Sequence, residues 1–106
     1  MVSPFLRFRN SMTNDNLWVY ILTLLKDGNL YAYEIRNKVV KRFHFSPGNM
    51  TAYIVLKKLQ AGGYVRKASS SKGGGPERTY YAVTKKGLDE LKKAADFYRQ
   101  MATHFK

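Results

Sequence analysis

The chemistry open to this chain is recognition rather than turnover. It has no cysteine, and its two histidines, His44 and His104, lie far apart. Disulfides, zinc–thiolate sites and thiolate nucleophiles are therefore excluded together. Metal binding and imidazole catalysis have little to draw on, and no metal site is expected. No nucleophile, base and orienting group fall close together, and Gly73-Gly74-Gly75 lacks the spacing of a nucleotide-binding glycine motif. What remains is a set of hydrogen-bonding and cationic side chains: Arg36, then Asn49, Thr51, Tyr53, Lys57 and Lys58, then Lys72 and Arg78. Polar groups at an exposed helix start donate to phosphate oxygens or base edges, and nearby cations pair with phosphates.

The charge balance supports that reading. Nineteen Lys+Arg against seven Asp+Glu give a formal charge of +12, an excess that favours a polyanionic partner. Its distribution is uneven. Between Glu34 and Lys86 the basic residues are Arg36, Lys38, Lys41, Arg42, Lys57, Lys58, Arg66, Lys67, Lys72, Arg78, Lys85 and Lys86, opposed only by Glu34 and Glu77. Each residue alone has a duller explanation. Lys38 and Lys41 also read as solvated helix surface, Tyr53 as a core aromatic with its hydroxyl at the rim, and Ser70–Gly75 as a plain loop. Co-location carries the argument.

The elements that must position these residues follow from periodicity. Residues 1–14 carry mixed signals: Pro4 limits an early helix, yet Phe5, Leu6 and Phe8 are apolar for a free tail. An arm or short helix packed on the body is expected, with a disordered terminus as the alternative. After Asn14 or Asp15 as cap, Leu17, Ile21, Leu24 and Leu25 recur at helical spacing with Trp18 and Leu22. Asp27-Gly28-Asn29 stops this central helix. A second helix spans about Tyr31 to Phe43, ending before the Ser46-Pro47 turn. A third runs from about Asn49 to Ala61, with Ala52, Val55, Leu56 and Leu59 inward and Asn49, Tyr53, Lys57 and Gln60 outward. Gly62-Gly63 closes it.

The period then shortens. Tyr64–Ser69 and Arg78–Val83 read as two strands around a glycine-rich tip, a β-hairpin. Thr84 caps a last helix to about Phe105. Its Leu88, Leu91, Ala95, Tyr98, Ala102 and Phe105 step by three and four residues, the seam of a coiled-coil face. Such a helix is roughly 30 Å long and projects beyond a small domain. The predicted fold is mainly α with a small β-hairpin: a winged helix-turn-helix plus a C-terminal dimerisation helix. The expected division is 1–14 as N-terminal arm or short helix, 15–83 as DNA-binding domain and 84–106 as dimerisation helix. On this seam Leu91→Asp is expected to give monomers.

The stretches Ile21–Gly28, Tyr33-Glu34-Ile35, Thr51–Leu59, Gly63-Tyr64-Val65 and Arg78–Gly87, in this order and spacing, resemble the PadR family of phenolic acid decarboxylase repressors. The resemblance covers about Leu17 to Phe105. It implies a winged helix-turn-helix homodimer that represses transcription, its last helix pairing with the partner subunit. It places Thr51, Tyr53 and Lys57 at reading-helix positions, Arg78 on the basic wing strand, Tyr80 and Tyr81 at its aromatic end, and Thr84 and Gly87 at the start of the last helix. Ala32, Ala52 and Glu77 depart from the residues usual there. The resemblance also implies a candidate site for a flat aromatic effector at the dimer interface, lined here by Trp18, Phe97 and Tyr98. The alternative is that these three rings only pack the interface.

The expected function is a cytoplasmic, nucleoid-associated regulator of transcription that binds double-stranded DNA. Arg36, Asn49, Thr51, Tyr53, Lys57, Lys58, Lys72 and Arg78 contact DNA in this reading. Leu88, Leu91, Ala95, Tyr98, Ala102, Phe105 and Trp18 join two protomers. No cofactor and no membrane partner are called for. An architectural protein coating DNA without sequence preference would use the same charge with little base readout. An enzyme, or a winged-helix module for protein or membrane surfaces, is the further alternative.

Overall fold

Pro4–Met12 forms helix α1. Pro4 starts the helix rather than limiting it: in the first turn its missing N–H costs nothing and its fixed φ suits the helix. The Ser3 hydroxyl caps it, accepting from the Leu6 N–H at 3.1 Å. A 3₁₀ turn, Asn14–Asn16, leads into α2, Leu17–Lys26. This computed structural model describes residues 3–71 and 78–105.

Helix α2 is the hub of the core. Leu17, Ile21, Leu22, Leu24 and Leu25 are all buried, and Ile21 and Leu22 are wholly inaccessible. Leu30–Tyr31 follows as a short strand, β1, and only then does α3 run, over Ala32–Phe43. The sequence puts Tyr31 at a helix start. Instead its backbone is extended and pairs with the third strand, and its N–H donates to Glu34 Oε1 at 3.3 Å. Glu34, one of the few acids in the basic block, thus serves as a cap. Helix α3 ends at His44 in the left-handed region, φ 63°.

Helix α4 occupies Asn49–Ala61, with Ala52, Leu56 and Leu59 buried against α2 and α3. Strands β2, Val65–Ser71, and β3, Arg78–Val83, pair antiparallel with an irregularity between Lys67 and Ser69. The expected two-stranded hairpin is therefore part of a three-stranded sheet, ordered β1-β3-β2. The tip with Lys72 lies outside the described residues. Helix α5 spans Lys85–Ala102 and packs on α2, with a 3₁₀ turn at Thr103–Phe105. Thr84 caps α5 as its type predicts, accepting from the Gly87 N–H at 3.1 Å. Among the described residues no helix is long and apolar enough to cross a membrane.

Tyr20 ties the first helix to this body. Its ring meets Phe43 and Phe45 edge-on, each at 4.9 Å between centroids, and its hydroxyl donates to the Met12 carbonyl at 2.5 Å. Burial first, then the nearby Tyr98 phenol, push the Tyr20 pKa up, so the hydroxyl stays protonated and keeps donating. Tyr20→Phe keeps the ring packing and removes one hydrogen bond. A loss of about 1 kcal/mol is expected, with faster amide exchange confined to α1. Unchanged exchange in α1 would show that the bond does not hold that helix.

Candidate nucleic-acid interface

The candidate site starts from the turn between α3 and α4. Arg36 Nε donates to the Pro47 carbonyl, and Arg36 Nη2 to Ser46 Oγ, both at 3.1 Å. Pro47 is buried. These bonds fix where α4 begins, so Arg36 acts on α4 through the turn. Gly48 then caps α4 without a side chain. Asn49, Met50 and Thr51 of the first turn are exposed, at the positive end of the helix dipole.

One flank of α4 faces the sheet. Lys57 Nζ lies 5.5 Å from the Tyr53 ring centroid and 5.7 Å from that of Tyr81, within cation–π range. It also reaches Gln60 Oε1 at 3.4 Å. The Lys57 pKa is raised, chiefly by the neighbouring Tyr81 phenol, against a lowering by burial; the charges of Tyr81 and Tyr53 add to the rise. On β3, Arg78 Cζ stands 4.9 Å over the Tyr31 ring, which meets Tyr80 edge-on at 5.5 Å. A groove of about 300 Å³ runs between these elements, lined by Tyr31, Tyr33, Tyr53, Lys57, Lys67, Arg78 and Tyr81 among others. Three cations and four phenols from α3, α4 and the sheet thus share one concave surface. Rings hold the long cationic side chains in place, which reduces the entropy lost when an anion binds.

The structure thus brings Tyr53, Lys57 and Arg78 together. Thr51 and Lys58 go elsewhere. Two residues along a helix is about 200° of rotation, so Thr51 lies on the opposite flank from Tyr53. Lys58 lines a second groove with Trp18, Val55, Leu59, Tyr64 and Glu90. Tyr31 and Tyr33 belong to the site and escaped the sequence reading, which counted Lys67 in the basic block without singling it out. Lys67 pairs in register with Tyr81, and strand alternation around Tyr81 is the signal that marks it.

A second surface lies on α2 and α5. Trp18, Phe97 and Tyr98 line one groove of about 480 Å³ with Met12, Val19 and Ala94. On α5, Leu88, Ala95, Tyr98 and Ala102, with Phe105 just beyond, are exposed. Leu91 is not: it packs, half-buried, against the protomer's own core. Leu91→Asp would therefore damage the monomer as well as any seam. Phe5, Leu6 and Phe8 of α1, unassigned from sequence, extend the same apolar surface, with Phe8 and Phe105 in edge contact at 6.2 Å.

Comparison with known proteins places this geometry. The model of the transcriptional regulator PadR-like family matches residues 21–93. A PadR family transcription regulator from Clostridium difficile R20291 is similar, with 26% identity and a TM-score of 0.74 over 82% of this chain and 91% of that one. A PadR-like transcriptional regulator from Bacillus cereus ATCC 14579 also has 26% identity and a TM-score of 0.74, over 90% and 92%. Bacillus subtilis PadR, solved in complex with operator DNA, has 28% identity and a TM-score of 0.69, over 76% of this chain and 46% of that one. The fold is the winged helix these proteins share. No curated protein matches the chain.

Proposed function

We propose a function from one premise: the chain belongs to the transcriptional regulator PadR-like family. It binds a specific operator as a homodimer in the cytoplasm, and represses transcription there without catalysing a reaction. The exposed face of α4 enters the major groove, and the cations on its sheet-facing flank grip the adjacent phosphates. The observation that carries this reading is the convergence of Lys57, Lys67 and Arg78 on one groove beside the solvent-facing start of α4. Phosphate contacts of this kind fix register, so that base edges can be read. The complex of Bacillus subtilis PadR with operator DNA supports it by analogy.

The homodimer reading rests on the apolar surface shared by α1 and α5. Phe97 is 59% exposed, and Met101 is exposed one turn beyond it. Rings left in water at this density favour a second copy. The Trp18–Phe97–Tyr98 groove beside them suits a flat aromatic effector, and Trp18, the single tryptophan, reports its occupancy by emission.

Selection of bound fragments from random genomic DNA tests the whole reading. A short, nearly palindromic sequence is expected, its half-sites about 10 bp apart. Uniform recovery of all fragments would instead indicate an architectural protein. Phe97→Asp, on an exposed position that spares the core, is expected to give monomers in light scattering and to lose protection of that site. A variant that stays dimeric would place the interface elsewhere.

A further inference from the structure

The centre of the outward face of α4 is apolar. At about 100° per residue, Met50, Ile54, Lys57 and Ala61 line the stripe opposite the buried Ala52, Leu56 and Leu59. Met50 is 70% exposed and Ile54 45% exposed. They stand one turn apart, between the flank of Tyr53 and Lys57 and the flank of Thr51 and Lys58. Neither belongs to the buried core. Their exposure therefore has no account among the described residues of the protomer.

Their surroundings narrow the partner. Helix α4 carries Lys57 and Lys58 and no acid, and Lys67 and Arg78 lie across the groove on its sheet side. A surface that is cationic at its edges and apolar at its centre matches a polyanion with apolar spots on its floor. The DNA major groove has that character: phosphates line its rims, and the thymine C5-methyl is the apolar group on its base edges. Two isolated side chains are too few for the apolar core of a protein interface, but are matched in size to one or two methyl groups. We infer that Met50 and Ile54 are specificity-determining residues that read thymine methyl groups in each half-site. This rests on the DNA-binding reading above and deepens it, since that reading names no residue for an apolar contact with a base.

The test takes the duplex recovered by selection and replaces thymine by uracil, one position at a time. That change deletes the methyl and leaves the pairing edge intact. At one or two positions per half-site, wild-type affinity should fall about fourfold per contacted methyl, the effect of one buried methylene-sized group. The Met50→Ala, Ile54→Ala double variant should bind thymine and uracil duplexes equally. Both substitutions replace exposed residues with a strong helix former, so an unchanged melting temperature confirms the fold. Equal wild-type affinity for every uracil duplex overturns the assignment while the operator reading stands. So does discrimination that survives in the double variant. Equal affinities with DNA binding intact in both proteins would leave the pair to a protein partner. Failure to enrich any sequence overturns the operator reading and this inference together.

Discussion

Affinity for DNA should fall by about 10³–10⁵-fold as salt rises from about 50 to about 200 mM, the response of a protein neutralising about 6–10 phosphates. Lys57→Met should flatten the logarithmic salt slope by about one unit and weaken binding to all sequences alike. The expectation follows from where the charge is left unopposed. Among the described residues, the ion pairs lie away from the groove. Arg42 meets Asp27 at 3.0 Å, and on α5 Lys85 meets Asp89, Lys93 meets Glu90 and Arg99 meets Asp96. All are solvent-exposed and contribute little to stability; the last three offset the positive charge of α5, and none offsets that of the groove. Lys57 keeps its full charge through neutral pH, because its tyrosine neighbours raise an already high pKa. Its contribution to affinity should therefore be flat from neutral pH upward and disappear only as pH climbs through that raised value. The Met50 and Ile54 double variant should lose methyl discrimination with its salt slope intact. A wild-type slope near zero, or one that Lys57→Met leaves unchanged, would remove the phosphate-gripping role from this groove.

How much of this was legible depended on whether the cause was local. Helices α2 and α4 could be read because Leu17, Ile21, Leu24 and Leu25, and Ala52, Leu56 and Leu59, repeat at the helical period and are buried for that reason. The Thr84 cap was legible because capping is local chemistry. Strand β1 was not, since two residues carry no period. Leu30 and Tyr31 are extended because Tyr81 and Tyr80, distant in sequence, offer them partners. The role of Arg36 was hidden similarly: its reach to Pro47 and Ser46 exists only once the turn is closed. Helix α1 was ambiguous because Pro4 breaks or begins a helix according to position. The omission of Met50 and Ile54 has a different origin. Polar residues were taken to mark the outward face, whereas rotation from the buried residues puts these two nearer its centre. Leu91 fits the seven-residue spacing of a seam and still turns toward its own core, because spacing does not fix which neighbour a stripe meets.

Gly87→Ala should destabilise the protein by about 3 kcal/mol, at the upper end of ordinary overpacking, and lower its melting temperature by roughly 12–24 °C. By helix propensity alone the change should stabilise α5 by about 1 kcal/mol, so the sign of the result is decisive. A Cβ on Gly87 would lie 2.2 Å from the Tyr64 carbonyl oxygen, 2.8 Å from Val83 Cγ2 and 3.2 Å from the Tyr64 carbonyl carbon. That oxygen cannot retreat freely: it accepts the Thr84 N–H at 3.1 Å, while the Tyr64 N–H donates to the Leu59 carbonyl at 2.9 Å. Thr84 Oγ1 and Lys86 Nζ donate to the carbonyls of Gly63 and Gly62, each at 2.6 Å. The end of α4, the root of β2 and the start of α5 are thus joined at the point the new methyl would enter. Gly62→Ala makes the control. Its added Cβ would meet the Tyr64 ring at 2.6 Å, a side chain able to swing aside, so a smaller loss is expected there. Relief at Gly87 requires α5 to tilt, and a tilt of about 4° moves the end of a helix this long by about 2 Å. The surviving folded fraction should therefore also dimerise and bind its operator less tightly. An alanine variant as stable as the parent would mean that α5 does not sit against Tyr64 as described, and with it the proposed spacing of the two reading helices would fail.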